Sequence, residues 1–241
     1  MTEPTLLLTF ARCAGFVMKA PGFSHPATPK IVRIILAGAL ALGIAPALSQ
    51  MGPLDPFVLW PAFARELLLG AAIGVAVSVL YDGAYAGGRA LDDYLGVKAT
   101  MPTATVQSGS GFGRLWSNGF LAAYFLLGGV ETTVQIFAHA FRVLPPGTTP
   151  STEMIFSYAI AVPRMVLEAA LLITGPAIAL AFVAQVALAG IGRIVPRFST
   201  FALSFPVVFA AALFVTIAAA PAMLSLGAHP WIALPTTERA H

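Results

Sequence analysis

Long apolar runs alternate with short, breaker-rich connections along most of the chain. Leu6–Met18 is apolar apart from Thr9 and Arg12 and stops at Ala20-Pro21-Gly22, which makes it short for a bilayer span. The connection Lys19–Arg33 carries Pro21, Pro26, Pro29 and basic residues, and reads as extended and wet. Ile34–Leu48 is an apolar helix that ends before Gly52-Pro53-Leu54-Asp55-Pro56. A further helix is expected from near Pro61, through Arg65-Glu66, to Leu80. Leu115–Phe141 reads as one long helix carrying Asn118, Glu131 and Gln135. Glu131 and Gln135 lie four apart, so their face points to protein or water. After the breaker Leu144-Pro145-Pro146-Gly147 comes Met154–Gly192, interrupted in pattern at Pro163 and Gly175-Pro176. Fully helical it would extend about 58 Å, against a hydrocarbon core of about 30 Å. It is a bent hairpin, two short helices, or one helix reaching far beyond the bilayer. Arg164 and Glu168 are spaced to pair across one turn. Arg193–Thr200 is polar, Phe201–Leu226 is the last apolar helix, and a polar tail follows.

The stretch Asp82–Arg114 interrupts this pattern. It holds Asp82, Arg89, Asp92, Asp93, Lys98 and Arg114, then Gln107-Ser108-Gly109-Ser110-Gly111-Phe112-Gly113. Unpaired polar groups in hydrocarbon cost several kcal/mol each, so this stretch lies in water, packs on protein or lines a cavity. Asp92 and Asp93 are expected at a solvated helix end.

Composition turns the pattern into a class. Of 241 residues, 58% are hydrophobic and only 10% charged, against about 25% charged in soluble proteins. The expectation is an all-α integral membrane or assembly-embedded protein with about six apolar segments and no soluble domain. Gly70 and Gly74 share a helix face, as do Gly83 and Gly87, a spacing that lets helices approach closely or that chance supplies in a chain this rich in Gly and Ala. No cleavable signal peptide is expected, and the slight basic excess carries no nucleic-acid signature. If Met154–Gly192 crosses once, Lys19, Lys30, Arg33, Arg89, Lys98, Arg114, Arg193 and Arg197 all fall on the cytoplasmic side; if it crosses twice, the last helix flips and the agreement weakens.

Catalytic patterns are weak. The histidines His25, His139, His229 and His241 have no metal-ligand spacing, and Cys13 is the sole cysteine. Gly109-Ser110-Gly111 is not a nucleophile elbow, and Gly109–Gly113 is not a dinucleotide fingerprint. No enzyme activity, metal or cofactor is expected.

Several motifs together resemble the FliR/SctT family of export-apparatus membrane proteins, across about Leu6–Leu226. They are Arg12 with Gly15, then Ala20-Pro21-Gly22-Phe23-Ser24, Pro29 and Arg33; Arg65-Glu66-Leu67-Leu68-Leu69-Gly70 with Gly74; Gly87-Gly88-Arg89-Ala90-Leu91-Asp92, Gly96 and Gln107-Ser108-Gly109; and Pro196, Phe201, Phe205 and Pro206. Departures include Met101-Pro102 and Ala104-Thr105-Val106 where an Asp-Pro is usual, Arg197-Phe198-Ser199 for Gln-Leu-Asn, and Val207 for a lysine. They suggest a divergent, non-flagellar member, although the sequence alone leaves flagellar and virulence systems both open.

The resemblance implies a structural subunit of the type III protein export gate, in the bacterial inner membrane within the secretion basal body. It implies FliP-like and FliQ-like partners in the gate, FlhA-like and FlhB-like components beside it, unfolded secreted proteins in transit, and contact with membrane lipid. It implies a fold of kinked helical hairpins and one gate domain over 1–241, with N-terminal helices and a central plug-like loop in 6–114, helical hairpins in 115–226, and a tail in 227–241. The plug would comprise Met101, Val106, Gln107, Ser108, Gly109, Ser110, Gly111, Phe112 and Gly113, with apolar contact from Met101, Val106 and Phe112 and the bend from Gly and Ser. A plain connecting loop is the alternative. Glu66, Gly70, Gly74, Glu131, Arg164 and Glu168, with Pro196, Phe201, Phe205 and Pro206, are candidates for packing on neighbouring subunits. The rival class is a stand-alone small transporter or channel component, which would be expected to show paired charges in mid-span and two-fold internal similarity.

Overall fold

Glu3 in the first turn and Lys19 in the last complement the helix dipole, and Glu3–Lys19 forms α1. In the computed structural model every regular element is a helix; the residues described are 3–24, 28–48, 52, 55–95, 111–194, 206–215 and 217–218. They group into two compact units, each assembled from separate stretches of chain.

The first unit gathers Met1–Val79 and Gly128–Pro163. Helix α1 is its axis, with Leu8, Ala11, Arg12, Cys13, Phe16 and Val17 all buried. The chain turns after it at Gly22, whose φ of 81° suits only glycine well. Helix α2, Lys30–Ile44, follows Pro29 and runs on into a 3-10 turn, Ala45–Ala47. Lys30–Arg33, expected as loop, is therefore the first turn of a helix, because Pro29 in extended backbone opens it. Only Ala37 and Ala41 of α2 are buried, while Ile31, Ile34, Ile35 and Leu42 are exposed.

Helix α3, Pro56–Val77, begins earlier than expected from Pro61. The Asp55 side chain accepts from the Phe57 N–H at 2.9 Å and Pro56 occupies the first turn, so the local start signal lies at Asp55-Pro56. Its buried Ala62, Glu66, Gly70 and Gly74 form one line at every fourth position and receive α1. A Cβ on Gly70 would lie 1.9 Å from the Arg12 carbonyl oxygen, and one on Gly15 2.0 Å from that of Leu67. The two backbones touch because glycine stands on both sides of the crossing. Ser78 ends α3, its hydroxyl donating to the Val75 carbonyl at 2.9 Å. Helix α6, Gly129–Val143, adds Phe137 and Phe141 to the core, with Phe137 stacked on Phe16 at 4.1 Å between centroids.

The second unit gathers Leu80–Leu127 with the described part of Arg164–His229. The first part of the polar stretch Asp82–Arg114 is here helix α4, Val79–Leu95. Its polar residues sit on an amphipathic helix, with Ala84 and Leu91 facing the core. Helix α5, Gly111–Leu126, contributes Phe112, Trp116 and Phe120 to the same core. The single helix expected over Leu115–Phe141 is broken at Leu127–Gly128, where Gly128 has φ 76° and Gly129 follows; two glycines have the least helical preference to resist the break. Helix α8, Pro206–Val215, packs Val208 and Ala212 inward.

Helix α7, Thr152–Ile194, has 43 residues, so of the three readings of Met154–Gly192 the single long helix holds. At about 1.5 Å per residue it is about 64 Å long. Pro163 and Pro176 do not end it, since in apolar surroundings the neighbouring backbone groups have no better partners than each other. Ala169, Ile173, Ala177 and Ala181 form its buried line in the second unit, while Leu167, Leu171, Phe182 and Val186 are exposed. Among the described residues three helices are long and apolar enough to cross a membrane: Lys30–Ala47 with its 3-10 turn, Pro56–Val77 and Thr152–Ile194.

Candidate functional site

Two polar clusters organise the two units. In the first, the Arg12 Nε donates to the Glu66 Oε2 at 2.6 Å, and neither side chain is more than 1% exposed. Removing both charges from water is expensive, and the pair survives burial only because each end finds further partners. Arg12 Nη1 donates to the Leu144 carbonyl at 2.6 Å, and its guanidinium carbon lies 4.5 Å from the Phe141 ring centre. Glu66 Oε1 accepts from the Gly147 N–H at 2.8 Å. Arg65 holds the same turn from the next position, with Nη2 donating to the Gly147 carbonyl at 2.6 Å and Nη1 to the Thr149 hydroxyl at 3.0 Å. Gly147 has φ 85°, which presents its N–H and C=O to these two side chains. The Leu144–Thr149 connection between α6 and α7 is thus tied to α1 and α3 by charge. Burial also pushes the neighbouring Cys13 thiol up to about 12, opposed in part by Arg12.

In the second unit the cluster stands at the base of the central segment. The Asp92 carboxylate, 0% exposed, accepts from the Phe112 N–H at 3.1 Å to either oxygen and from the Gly113 N–H at 3.3 Å. It caps α5 from the end of α4, placing a negative charge at the positive end of the helix dipole. The expected solvated position of Asp92 is therefore corrected: the α5 N-terminus supplies the hydrogen bonds that water would otherwise give. Gly88 meets Gly113 so closely that a Cβ on Gly88 would lie 2.5 Å from the Gly113 Cα. Phe112 is 2% exposed and packs on Trp116 and Phe209, with ring centres 5.8 and 5.2 Å apart. The residues on either side of 96–110 are thus held together within one unit.

The expected site residues fall as follows. Met101, Val106, Gln107, Ser108, Gly109, Ser110, Pro196, Phe201 and Phe205 lie outside the described residues. Gly111, Phe112 and Gly113 form the first turn of α5. Glu66 pairs with Arg12, and Gly70 and Gly74 receive α1. Glu131 is exposed and accepts from Gln135 at 3.2 Å. Arg164 and Glu168 form an exposed pair at 2.7 Å. Pro206 opens α8. The role of Arg65 in holding the turn was not singled out from the sequence, nor was Asp92 as a cap; the acidic residue twenty positions before a glycine-flanked helix start was the available signal. Among the described residues no cluster of His, Cys, Asp or Glu could hold a metal ion.

Residues 4–231 match the family model described as bacterial export proteins, family 1. The chain is 24% identical over 203 residues to the flagellar biosynthetic protein FliR of Escherichia coli (strain K12), covering 81% of this chain and 76% of that protein. It is 25% identical over 230 residues to the flagellar biosynthetic protein FliR of Aquifex aeolicus (strain VF5), covering 90% and 85%. It is 29% identical over 146 residues to the secretion system apparatus protein SsaT of Salmonella typhimurium, covering 58% and 56%. The match runs through both units and both polar clusters, and the chain belongs to the bacterial export proteins of family 1.

Proposed function

We propose that this chain is a structural, non-catalytic subunit of a type III export gate in the bacterial inner membrane, joining FliP-like and FliQ-like subunits beside FlhA-like and FlhB-like components. The observation that carries this reading is the family match over residues 4–231, shared by flagellar and secretion-system relatives. The distribution of apolar surface supports it: Ile31, Ile34 and Ile35 on α2, and Leu167, Leu171 and Phe182 on α7, face outward and suit lipid or a neighbouring helix. Glu131, Arg164 and Glu168, also exposed, are the polar contacts offered to neighbouring subunits. In this reading unfolded secreted proteins pass through the assembled gate. Residues 101–110 contribute its closure, with Met101 and Val106 as apolar contacts and Gln107–Ser110 as the bend. Support for that role comes from the composition of the segment and from the Asp92 cap beside it. Co-expression with the FliP-like and FliQ-like neighbours, extraction in mild detergent and native mass spectrometry test the assembly. A discrete hetero-oligomer is expected; a particle of this chain alone, indifferent to those partners, overturns the reading. Deleting Gln107–Ser110 is expected to make cells with an assembled gate leak small ions, and a tight membrane with the assembly present removes the closure role.

A further inference from the structure

A cavity of about 450 Å³ lies within the first unit, beside the Arg12–Glu66 pair. Its walls come mainly from three helices, α3, α6 and α7. On α3 the lining runs Arg65, Leu68, Leu69, Ala72 and Ile73, and on α7 Met154, Ile155, Tyr158 and Ala159. Ala140 and Val143 of α6, Leu144, Thr149 and Pro150 of the turn after it, and Arg12 of α1 complete it. The volume is that of a small-molecule site, for which about 300–1,000 Å³ is usual. Charge is confined to one end. From Arg65 the apolar wall of α3 continues for about 12 Å to Ile73, at about 1.5 Å per residue. The cavity has the form of an amphiphile.

The charged end is not neutral. Glu66 balances Arg12, whereas among the described residues Arg65 bonds the Gly147 carbonyl and the Thr149 hydroxyl and no carboxylate. One positive charge is left over. Two buried donors also have no hydrogen-bond partner among the described residues, Arg12 Nη2 and Arg65 Nε. Both arginines line the cavity. Unpaired buried guanidinium N–H groups are costly, and a phosphodiester satisfies charge and donors together. The wall helices α3 and α7 are both of membrane-crossing length and composition, and in such surroundings a phospholipid is the amphiphile at hand.

We propose that this cavity binds one acidic phospholipid, its phosphodiester against Arg12 and Arg65 and part of one acyl chain along Leu69, Ile73 and Met154. The site is formed within the first unit, so it does not depend on the export-gate reading.

The test uses the full chain purified in non-ionic detergent. Native mass spectrometry follows binding of phosphatidylglycerol and of phosphatidylcholine with the same acyl chains. One phosphatidylglycerol is expected to bind about ten-fold more tightly than phosphatidylcholine, as one charge-assisted interaction implies. Arg65→Gln is expected to remove that preference and Arg65→Lys to keep it, with both variants eluting as the wild type does. Should Arg65→Gln not fold, Ala72→Phe decides, since it fills the cavity with both arginines intact and is expected to abolish the single tight lipid. Equal affinity for the two lipids overturns the proposal, as does an unchanged preference in Arg65→Gln or in Ala72→Phe. Displacement of phosphatidylglycerol by inorganic phosphate at comparable concentration also overturns it, because the site would then be one for a free anion. Loss of lipid on addition of a neighbouring subunit that seats its own acidic side chain there would overturn it in favour of a protein contact.

Discussion

The Arg12 Nε lies 2.6 Å from the Glu66 Oε2, both residues 0% exposed, so two helices fifty-four positions apart in sequence are joined by one buried charge pair. The same two side chains hold the Leu144–Thr149 turn through the Leu144 carbonyl and the Gly147 N–H. Breaking one member leaves the other charged, buried and unpaired. Glu66→Ala or Arg12→Ala is therefore expected to destabilise the first unit by about 3–5 kcal/mol. An Arg12→Met/Glu66→Met double variant is expected to recover much of the loss, because no lone charge remains. Unfolding of the purified protein, followed by intrinsic fluorescence in denaturant, would show the ordering; a double variant as weak as the singles would refute it.

Glycine contacts separate two kinds of position. Gly70→Ala drives a Cβ to within 1.9 Å of the Arg12 carbonyl oxygen, backbone that cannot step aside. An overpacking penalty of about 1–3 kcal/mol is expected. Gly38 and Gly43, in α2, have nothing within 4 Å of such a Cβ. There the same substitution is expected to stabilise by about 0.4–1 kcal/mol through lower freedom of the unfolded chain. Midpoints of thermal unfolding should move in opposite directions for the two sets.

Asp92 is predicted to govern the start of α5. Asp92→Ala leaves the Phe112 and Gly113 N–H groups without their acceptor and is expected to cost about 0.5–2 kcal/mol, as for other lost caps. Hydrogen exchange should quicken at Phe112 and Gly113 while α1 stays as protected as before. Uniformly faster exchange across both units would mean that the cap is not acting locally.

The Cys13 thiol, buried in α1, is expected to resist alkylation. With its pKa pushed up to about 12, it stays neutral in the folded protein through the range where a free thiol near 8.5 ionises. The native state holds its proton more tightly, so its contribution to stability is complete below the free-thiol pKa and is lost as pH rises toward 12. Iodoacetamide labelling of native protein should remain slow from pH 7 to about 9 and become rapid on denaturation. Fast labelling of native protein at pH 8 would place Cys13 outside the core.

Local rules made much of the architecture legible. The scarcity of charge announced an all-α, membrane-type chain, and the breakers at Ala20-Pro21-Gly22 and Leu144-Pro145-Pro146-Gly147 mark real helix ends. The order of the degenerate motifs pointed to the family that the whole-chain match bears out. The errors came where two local signals competed. Pro61 competes with the earlier Asp55-Pro56 start and Gly128-Gly129 lies hidden within an apolar run, while Pro163 and Pro176 left three readings open of which α7 takes the unbroken one.

What the sequence determined by itself was therefore the class of the protein and the rough succession of its helices, because periodicity, breakers and charge density act over a few residues. Tertiary structure alone decided which partners those helices take. Arg12 and Glu66 stand out singly as charges in apolar runs, but only the α1–α3 crossing, made possible by Gly15 and Gly70, brings them into hydrogen-bonding distance. Asp92 looks like a solvated carboxylate until α5 turns its first N–H groups toward it. Each of these polar residues is affordable in the interior for the same reason: a partner remote in sequence replaces the water it has lost.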